Sequence, residues 1–192
     1  MNNADPNDIR DLYAAYNKTA VFAEQCLKLN NLDGELVPMK PAPSQIKLWR
    51  RIDRAIARKG FARIVVLKAR RVMVSMGTAA EFFRRTAFEP GKKALVLAHR
   101  DKAALNLFDY YYTFAKNYQP LGNGTASLAL PSIVSDTAQR LEFANGASIA
   151  AFTGGNPDAT RSFGAQLLHL SELAFMDSAQ EMLRAATNVI PL

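Results

Sequence analysis

Arg63-Ile64-Val65-Val66-Leu67-Lys68-Ala69-Arg70-Arg71-Val72-Met73-Val74-Ser75 is the stretch on which the reading of this chain turns. Ile64 to Leu67 form a short β-branched apolar run of the kind buried on both faces of a parallel sheet. The run leads through a basic turn into a helical pattern that continues to Thr86. The alternation then recurs downstream. A turn at Glu89-Pro90-Gly91 precedes a second apolar run, Ala94-Leu95-Val96-Leu97-Ala98, and a helical stretch from Asp101 to about Tyr118. This βαβα order predicts an α/β fold, a mainly parallel sheet flanked by helices. Residues 120–131, with Gly122, Asn123 and Gly124, read as an exposed loop. Arg140–Phe143 and residues 148–152, separated by Asn145-Gly146, read as a β-hairpin inserted into the fold. A loop over 154–164 delivers the chain to a third buried strand, Leu167–Leu170, and a helix from about Asp177 to Asn188 closes the sequence.

Upstream, residues 6–30 carry apolar side chains near helical spacing and predict one helix. Residues 30–43 contain Gly34, Pro38, Pro41 and Pro43 and read as a linker over the surface. A second helix is expected to start at Ser44 as N-cap and stop at Gly60. Ile46, Trp49, Ile52 and Ile56 line its apolar face, and Lys47, Arg50, Arg51, Arg54 and Arg58 cover the rest. This divides the chain into a helical appendage with its linker over 1–40 and a main domain over 41–192.

With 192 residues, 49% of them hydrophobic and 21% charged, the chain can fill a core of ordinary size, which excludes disorder for most of it. The single cysteine, Cys26, excludes an intramolecular disulfide and a zinc cluster built on several thiolates, and fits a reducing interior. No apolar run approaches the roughly 20 residues of a membrane span, and the acidic start lacks the pattern of a secretory signal. A soluble, cytoplasmic protein is expected. The net charge of +7 is localised: from Lys40 to Arg71 there are eleven basic residues against Asp53, a block of +10 that leaves −3 for the remainder. Such a field suits a polyanion, either nucleic acid or a nucleotide phosphate, against the plainer reading of a solvated helix face.

Two places invite chemistry. At the turn between Leu67 and the following helix, free N–H groups and the positive end of the helix dipole would face an anion, with Lys68, Arg70 and Arg71 adding charge. The usual phosphate-loop pattern G-x-x-x-x-G-K-[ST] is not matched: no glycine lies between Arg63 and Met76, and Val74 stands in the lysine's place, although Ser75 is positioned to offer a hydroxyl to magnesium. Phosphate loop and plain turn both remain open at this level. Glu172 follows the Leu167–Leu170 run at the carboxyl edge of an α/β sheet, where it reads either as a water-activating base or as a helix-capping acid. Ser171 precedes it where an Asp would help hold a metal. His99 and His169 read as structural, and Tyr110, Tyr111 and Tyr112 as core and rim.

Together these segments resemble the N-terminal ATPase domain of the large terminase subunit, the motor that packages DNA into tailed-phage proheads. The resemblance runs from about Pro43 to Pro191. It rests on Pro43-Ser44-Gln45 opening a helix, on the stretch from Val66 to Ser75, on Leu97-Ala98-His99-Arg100, and on Thr160-Arg161-Ser162-Phe163-Gly164 leading through Leu167–Leu170 into Ser171-Glu172-Leu173-Ala174-Phe175. It implies a P-loop NTPase fold of the ASCE/RecA-like type, incomplete at its C-terminus, with ATP and Mg2+ as cofactors. Many members carry a deviant Walker A whose lysine sits at the strand end, the place of Lys68 here. The same pattern implies Arg70 on the outer phosphate, Ser75 on the metal and Gln45 reading adenine, with Arg71 kept as a nucleotide-binding candidate for its charge at the turn. It also implies Glu172 at the end of a Walker B strand as the catalytic carboxylate, and Arg161 reaching a nucleotide, including one bound by a neighbouring subunit. The implied partners are double-stranded DNA, further copies in a ring, a portal and a small terminase subunit, in the host cytoplasm without a membrane.

Two departures stand out: Met73 replaces the family's glycine and Met76 its threonine, which predicts a methionine side chain where backbone would approach phosphate. The chain also ends before the later ATPase strands and the nuclease domain of that family, as expected of a fragment or a truncated gene. Two other functions fit the same residues. One is a superfamily 2 helicase-like ATPase, for which Gln45 and Ser171-Glu172 would read alike. The other is a non-hydrolysing DNA-binding or assembly module in which the basic block does the work.

Overall fold

The computed structural model describes residues 6–69, 72–123, 126–154, 163–176 and 179–189. In chain order the described elements are α1 (Pro6–Asn17), α2 (Thr19–Cys26), β1 (Lys28–Asn30), β2 (Leu36–Pro38), α3 (Pro43–Lys59), α4 (Val74–Ala87), β3 (Lys93–Ala98), α5 (Asp101–Lys116), β4 (Leu121–Asn123), β5 (Ala126–Leu128), β6 (Ile133–Asp136), β7 (Arg140–Phe143), β8 (Ser148–Thr153), β9 (Leu167–Leu170) and α6 (Ala179–Val189). The chain divides into two compact units, Met1–Glu81 with Asn117–Ala129, and Phe82–Lys116 with Leu130–Leu192.

The second unit carries an α/β sheet. Its five strands lie in the order β6-β7-β8-β3-β9. β3 runs parallel to β8 and to β9, whereas β7 is antiparallel to β8 and β6 to β7, so the sheet is mixed rather than mainly parallel. The expected hairpin forms with Leu141 opposite Ile149, and Gly146, at φ 79, makes its turn. It is no insertion, because β8 pairs with β3 along its whole length, Lys93 opposite Ser148 through Ala98 opposite Thr153. Fully buried Ala94–Ala98 accounts for the apolar run of β3. Leu95 and Leu97 face a core containing Ala150, Phe163, Ala165, Met176 and α6's Met182. On the opposite face Phe83 of α4 meets Phe114 of α5 and Phe143 of β7, with ring centroids 5.9 and 6.2 Å apart. Helices therefore cover both faces, as apolar residues on both sides of β3 require. β9 is only half-buried along its length, unlike the fully buried strand expected there.

The first unit corrects several expectations. The helix expected over 6–30 breaks at Lys18, which is extended (φ −122, ψ 109), and ends at Cys26. The linker contains a β-ribbon: β1 pairs antiparallel with β2, closed by a turn in which Asn31 Oδ1 accepts from the N–H groups of Asp33 and Glu35, both at 2.9 Å. α3 begins one residue before the expected cap, with Ala42 as N-cap and Pro43 at the first helical position, where proline's missing N–H costs nothing. It stops at Gly60, left-handed at φ 77, as anticipated. The loop expected over 120–131 contains the short antiparallel pair β4 and β5.

The largest correction concerns Ile64 to Leu67. These residues form no strand, and Val65 and Leu67 are 99% and 101% exposed. A β-branched run satisfies the side-chain requirement of a buried strand, but a strand also needs backbone partners, and this segment has none among the described residues.

Candidate functional site

In the first unit α3 grips the segment that precedes α4. Gln45, 0% exposed, uses both ends of its amide: Oε1 accepts from the Ala42 N–H at 2.8 Å, and Nε2 donates to the Met73 carbonyl at 3.0 Å. Ser44 Oγ donates to the Val72 carbonyl at 2.9 Å, and Trp49 Nε1 to the Gly77 carbonyl at 2.8 Å. Met73 adopts a left-handed conformation, φ 54, in the place where the family resemblance puts glycine. The next residues form the first turn of α4, whose opening bond runs from the Gly77 N–H to the Met73 carbonyl at 3.1 Å. That leaves the N–H groups of Val74, Ser75 and Met76 without partners inside the helix, a standing donor set for an anion. Ser75 lies half-buried on this turn, and Lys68 is exposed in the irregular segment upstream. Arg70 and Arg71 lie outside the described residues. Thus Gln45, the turn at Met73 and Ser75 come together, with the amide of Gln45 holding the loop itself.

In the second unit the carboxyl ends of three parallel strands converge. The Ala98 carbonyl accepts from the Gly154 N–H and the Leu97 carbonyl from the Ser171 N–H, both at 2.8 Å. Glu172 follows, left-handed at φ 56, and its carbonyl accepts from the Phe175 N–H at 2.9 Å in the short 3₁₀ turn Leu173–Phe175. Its carboxylate, 46% exposed, has Oε2 at 3.2 Å from Nδ1 of His99, close enough for an ionic contact but not aligned as a hydrogen bond. The His99 ring also lies 6.0 Å from that of Phe175. Sequence reasoning missed this pair, because the contact depends on β9 pairing with β3 in the register that puts Leu97 opposite Leu170. His169 instead packs edge-on against Phe82, 6.3 Å between centroids. Arg161 lies outside the described residues.

An open concavity of about 420 Å3, lined by Leu105, Phe108, Asp109, Tyr112, Asp136, Thr137 and Ala138, contains none of the residues singled out from the sequence. Among the described residues no group of three or more His, Cys, Asp or Glu side chains could hold a metal ion, and no helix is long and apolar enough to cross a membrane. No protein-family model matches the chain, and no curated protein does.

Met73 and Glu172 are the two non-glycine residues with positive φ among the described residues. A methionine or glutamate there carries roughly 1–2 kcal/mol of backbone strain, which persists only where the surroundings hold it. Both sit at places chosen from the sequence on chemical grounds.

Proposed function

We propose that this chain is the ATPase part of a viral DNA-packaging terminase large subunit, a P-loop NTPase of the ASCE type that works on double-stranded DNA. It would act in the host cytoplasm as a ring of copies with a portal and a small subunit. The observation that supports this most is the grip of Ser44 and Gln45 on the carbonyls of Val72 and Met73, which holds a strained turn open at the start of α4. A helix-opening Ser-Gln tied to the segment before a second helix N-terminus is what a phosphate-binding loop without glycine needs to keep its shape.

In this reading the free N–H groups of Val74 to Met76 and the Lys68 ammonium bind the phosphates of ATP. The donor set suits a hard cation, since Ser75 supplies a hydroxyl oxygen, and Ser75 would hold Mg2+ together with oxygens of the nucleotide. When bound, that ion neutralises phosphate charge. Arg70 and Arg161 take the phosphate-facing roles that the resemblance implies, and Arg71 adds positive charge at the same turn. Glu172 accepts a hydrogen bond from a water molecule and orients it, and His99 positions the carboxylate.

Titration of the purified chain with ATP and Mg2+ tests the reading. Lys68→Ala should weaken binding about tenfold or more, because a charge-assisted phosphate contact is worth ~1.5–3 kcal/mol. In a longer protein that carries the later ATPase strands, Glu172→Gln should leave affinity nearly intact while hydrolysis is lost. Equal titration curves would remove Lys68 from the site, and hydrolysis at the parent rate would make Glu172 a capping acid. The exposed, unpaired Ile64 to Leu67 segment favours a second reading, a DNA-binding or assembly module without hydrolysis. A parent chain that binds DNA but no ATP would decide for it.

A further inference from the structure

We infer that the outer face of α3 is the surface that docks double-stranded DNA, through five cations arranged for phosphates. Lys47, Arg50, Arg51, Arg54 and Arg58 are all exposed. At 100° per residue they fall within an arc of about 100° on one side of the helix. From Lys47 to Arg58 the stripe extends about 16 Å at 1.5 Å per residue, comparable with the axial rise of about five nucleotides of one DNA strand at 3.4 Å each. None of the five forms an ion pair among the described residues, so no side chain of the described fold neutralises the stripe. Asp53, the one acid of the helix, lies about 120° off the stripe axis by the same helical geometry.

The rest of the helix selects among polyanions. On the apolar side Gln45, Leu48 and Trp49 are buried and Ile46, Ile52 and Ile56 are partly buried, so the large apolar face that a membrane-binding amphipathic helix inserts into lipid is mostly covered here. The stripe carries no aromatic side chain on which unpaired bases would stack. Phe61, just past the helix end, has the Arg63 guanidinium 5.4 Å over its ring. A straight, rigid row of cations suits the regular phosphates of a duplex. α3 is also the helix whose other side holds the Val72, Met73 and Gly77 carbonyls, so one rigid element would bear both on DNA and on the segment opening α4. This inference rests on the DNA-binding part of the proposed function and not on nucleotide chemistry.

The test is fluorescence anisotropy of the full chain with a mixed-sequence duplex of about 30 base pairs, titrated at several salt concentrations. Arg50→Gln/Arg54→Gln/Arg58→Gln removes three cations with little change in helix propensity. The slope of log affinity against log salt should fall by about 2 to 3, and affinity at low salt should drop at least tenfold. Lys18→Gln/Arg100→Gln/Lys102→Gln, which removes the same charge elsewhere, should change the slope by less than one. The single reversal Arg54→Glu serves if the triple variant fails to fold, and should weaken binding with a smaller slope. An unchanged slope, an equal loss in the matched control, or binding only to single strands or to phosphatidylserine vesicles would overturn the assignment. ATP titration of the same proteins separates the two proposals. Parent protein that binds duplex through the stripe but binds no ATP ends the ATPase reading and upholds the stripe. ATP binding with no effect of the triple variant on duplex does the reverse.

Discussion

Replacing Gly77 by alanine is expected to destabilise the fold, the reverse of that exchange in an ordinary helix, where alanine is favoured by ~1 kcal/mol. Gly77 is the fourth residue of α4, and a Cβ added there would lie 2.8 Å from Gln45 Cγ and 3.2 Å from Gln45 Cβ. Gln45 has nowhere to retreat, since it is 0% exposed and its amide is held at 2.8 and 3.0 Å. Moving it sacrifices two hydrogen bonds worth ~0.5–1.5 kcal/mol each, and keeping it forces overpacking of ~1–3 kcal/mol. After the propensity gain, the expected net loss is ~0–2 kcal/mol, centred near ~1 kcal/mol, which is roughly 2–4 °C in Tm for a chain of this size. Urea unfolding followed by circular dichroism measures it. In a Gln45→Ala background the 2.8 Å contact vanishes, and the remaining approach to Cβ needs a shift of only a few tenths of an ångström. Gly77→Ala should there become neutral or stabilising, with a coupling energy of at least ~1 kcal/mol. Stabilisation by Gly77→Ala in the parent, or additivity within ~0.5 kcal/mol, would refute the claim that Gln45 is wedged between α3 and the start of α4.

Met73→Gly should be more stable than Met73→Ala by ~1 kcal/mol, since only glycine adopts φ 54 freely and the 55% exposed side chain contributes little packing. Equal urea midpoints for the two variants would show the left-handed turn to be absent in solution. Burial pushes the Cys26 thiol up to about 11, partly offset by a hydrogen bond with Tyr118, so a thiol reagent at pH 8 should label native protein far more slowly than unfolded chain. Because the folded value exceeds the unfolded one, this thiol's contribution to stability is complete below pH ~8.5 and declines as pH rises towards 11, which a Cys26→Ala variant should not show. Asn145→Ala should cost ~1–2 kcal/mol in urea midpoint, since Nδ2 donates to the Ala87 carbonyl at the end of α4 and Oδ1 accepts from the Ala147 N–H, at 2.9 and 3.0 Å.

What the sequence made legible follows the distinction between side-chain pattern and backbone partnership. β3, the hairpin of β7 and β8, and the stop of α3 at Gly60 were readable because period, turn dipeptide and glycine act within a few residues. β1, β2, β4, β5 and β6 escaped because each is three or four residues long and defined by its partner rather than by its own composition. The run from Ile64 to Leu67 shows the converse error, a strand composition with no ladder. At the site, Glu172 is legible from its place at a strand end and Gln45 only through the family resemblance, and the contacts of neither are. That Gln45 bonds to the Met73 carbonyl depends on the angle at which α3 meets α4, and that Glu172 meets His99 depends on the pairing of β9 with β3. Neither is encoded within reach of a local pattern.

No glycine stands between Arg63 and Met76, where the chain turns into α4. A left-handed turn is not expected in a stretch without glycine, because glycine is the residue that makes such a turn without strain. The turn is nevertheless present, at Met73, so the conformation does not require the residue, only enough local bonding to hold it. Ser44 and Gln45 contribute two hydrogen bonds, a net ~1–3 kcal/mol together, against roughly 1–2 kcal/mol of strain for a left-handed methionine. The two quantities are of the same size, so the clamp is sufficient and has little to spare. It follows that Gln45→Ala should not merely lower stability but should release Met73 from φ 54, and that Met73→Gly should restore the turn in the Gln45→Ala background. The order of stability Gln45→Ala/Met73→Gly above Gln45→Ala is the consequence, because only glycine holds the turn when its clamp is gone.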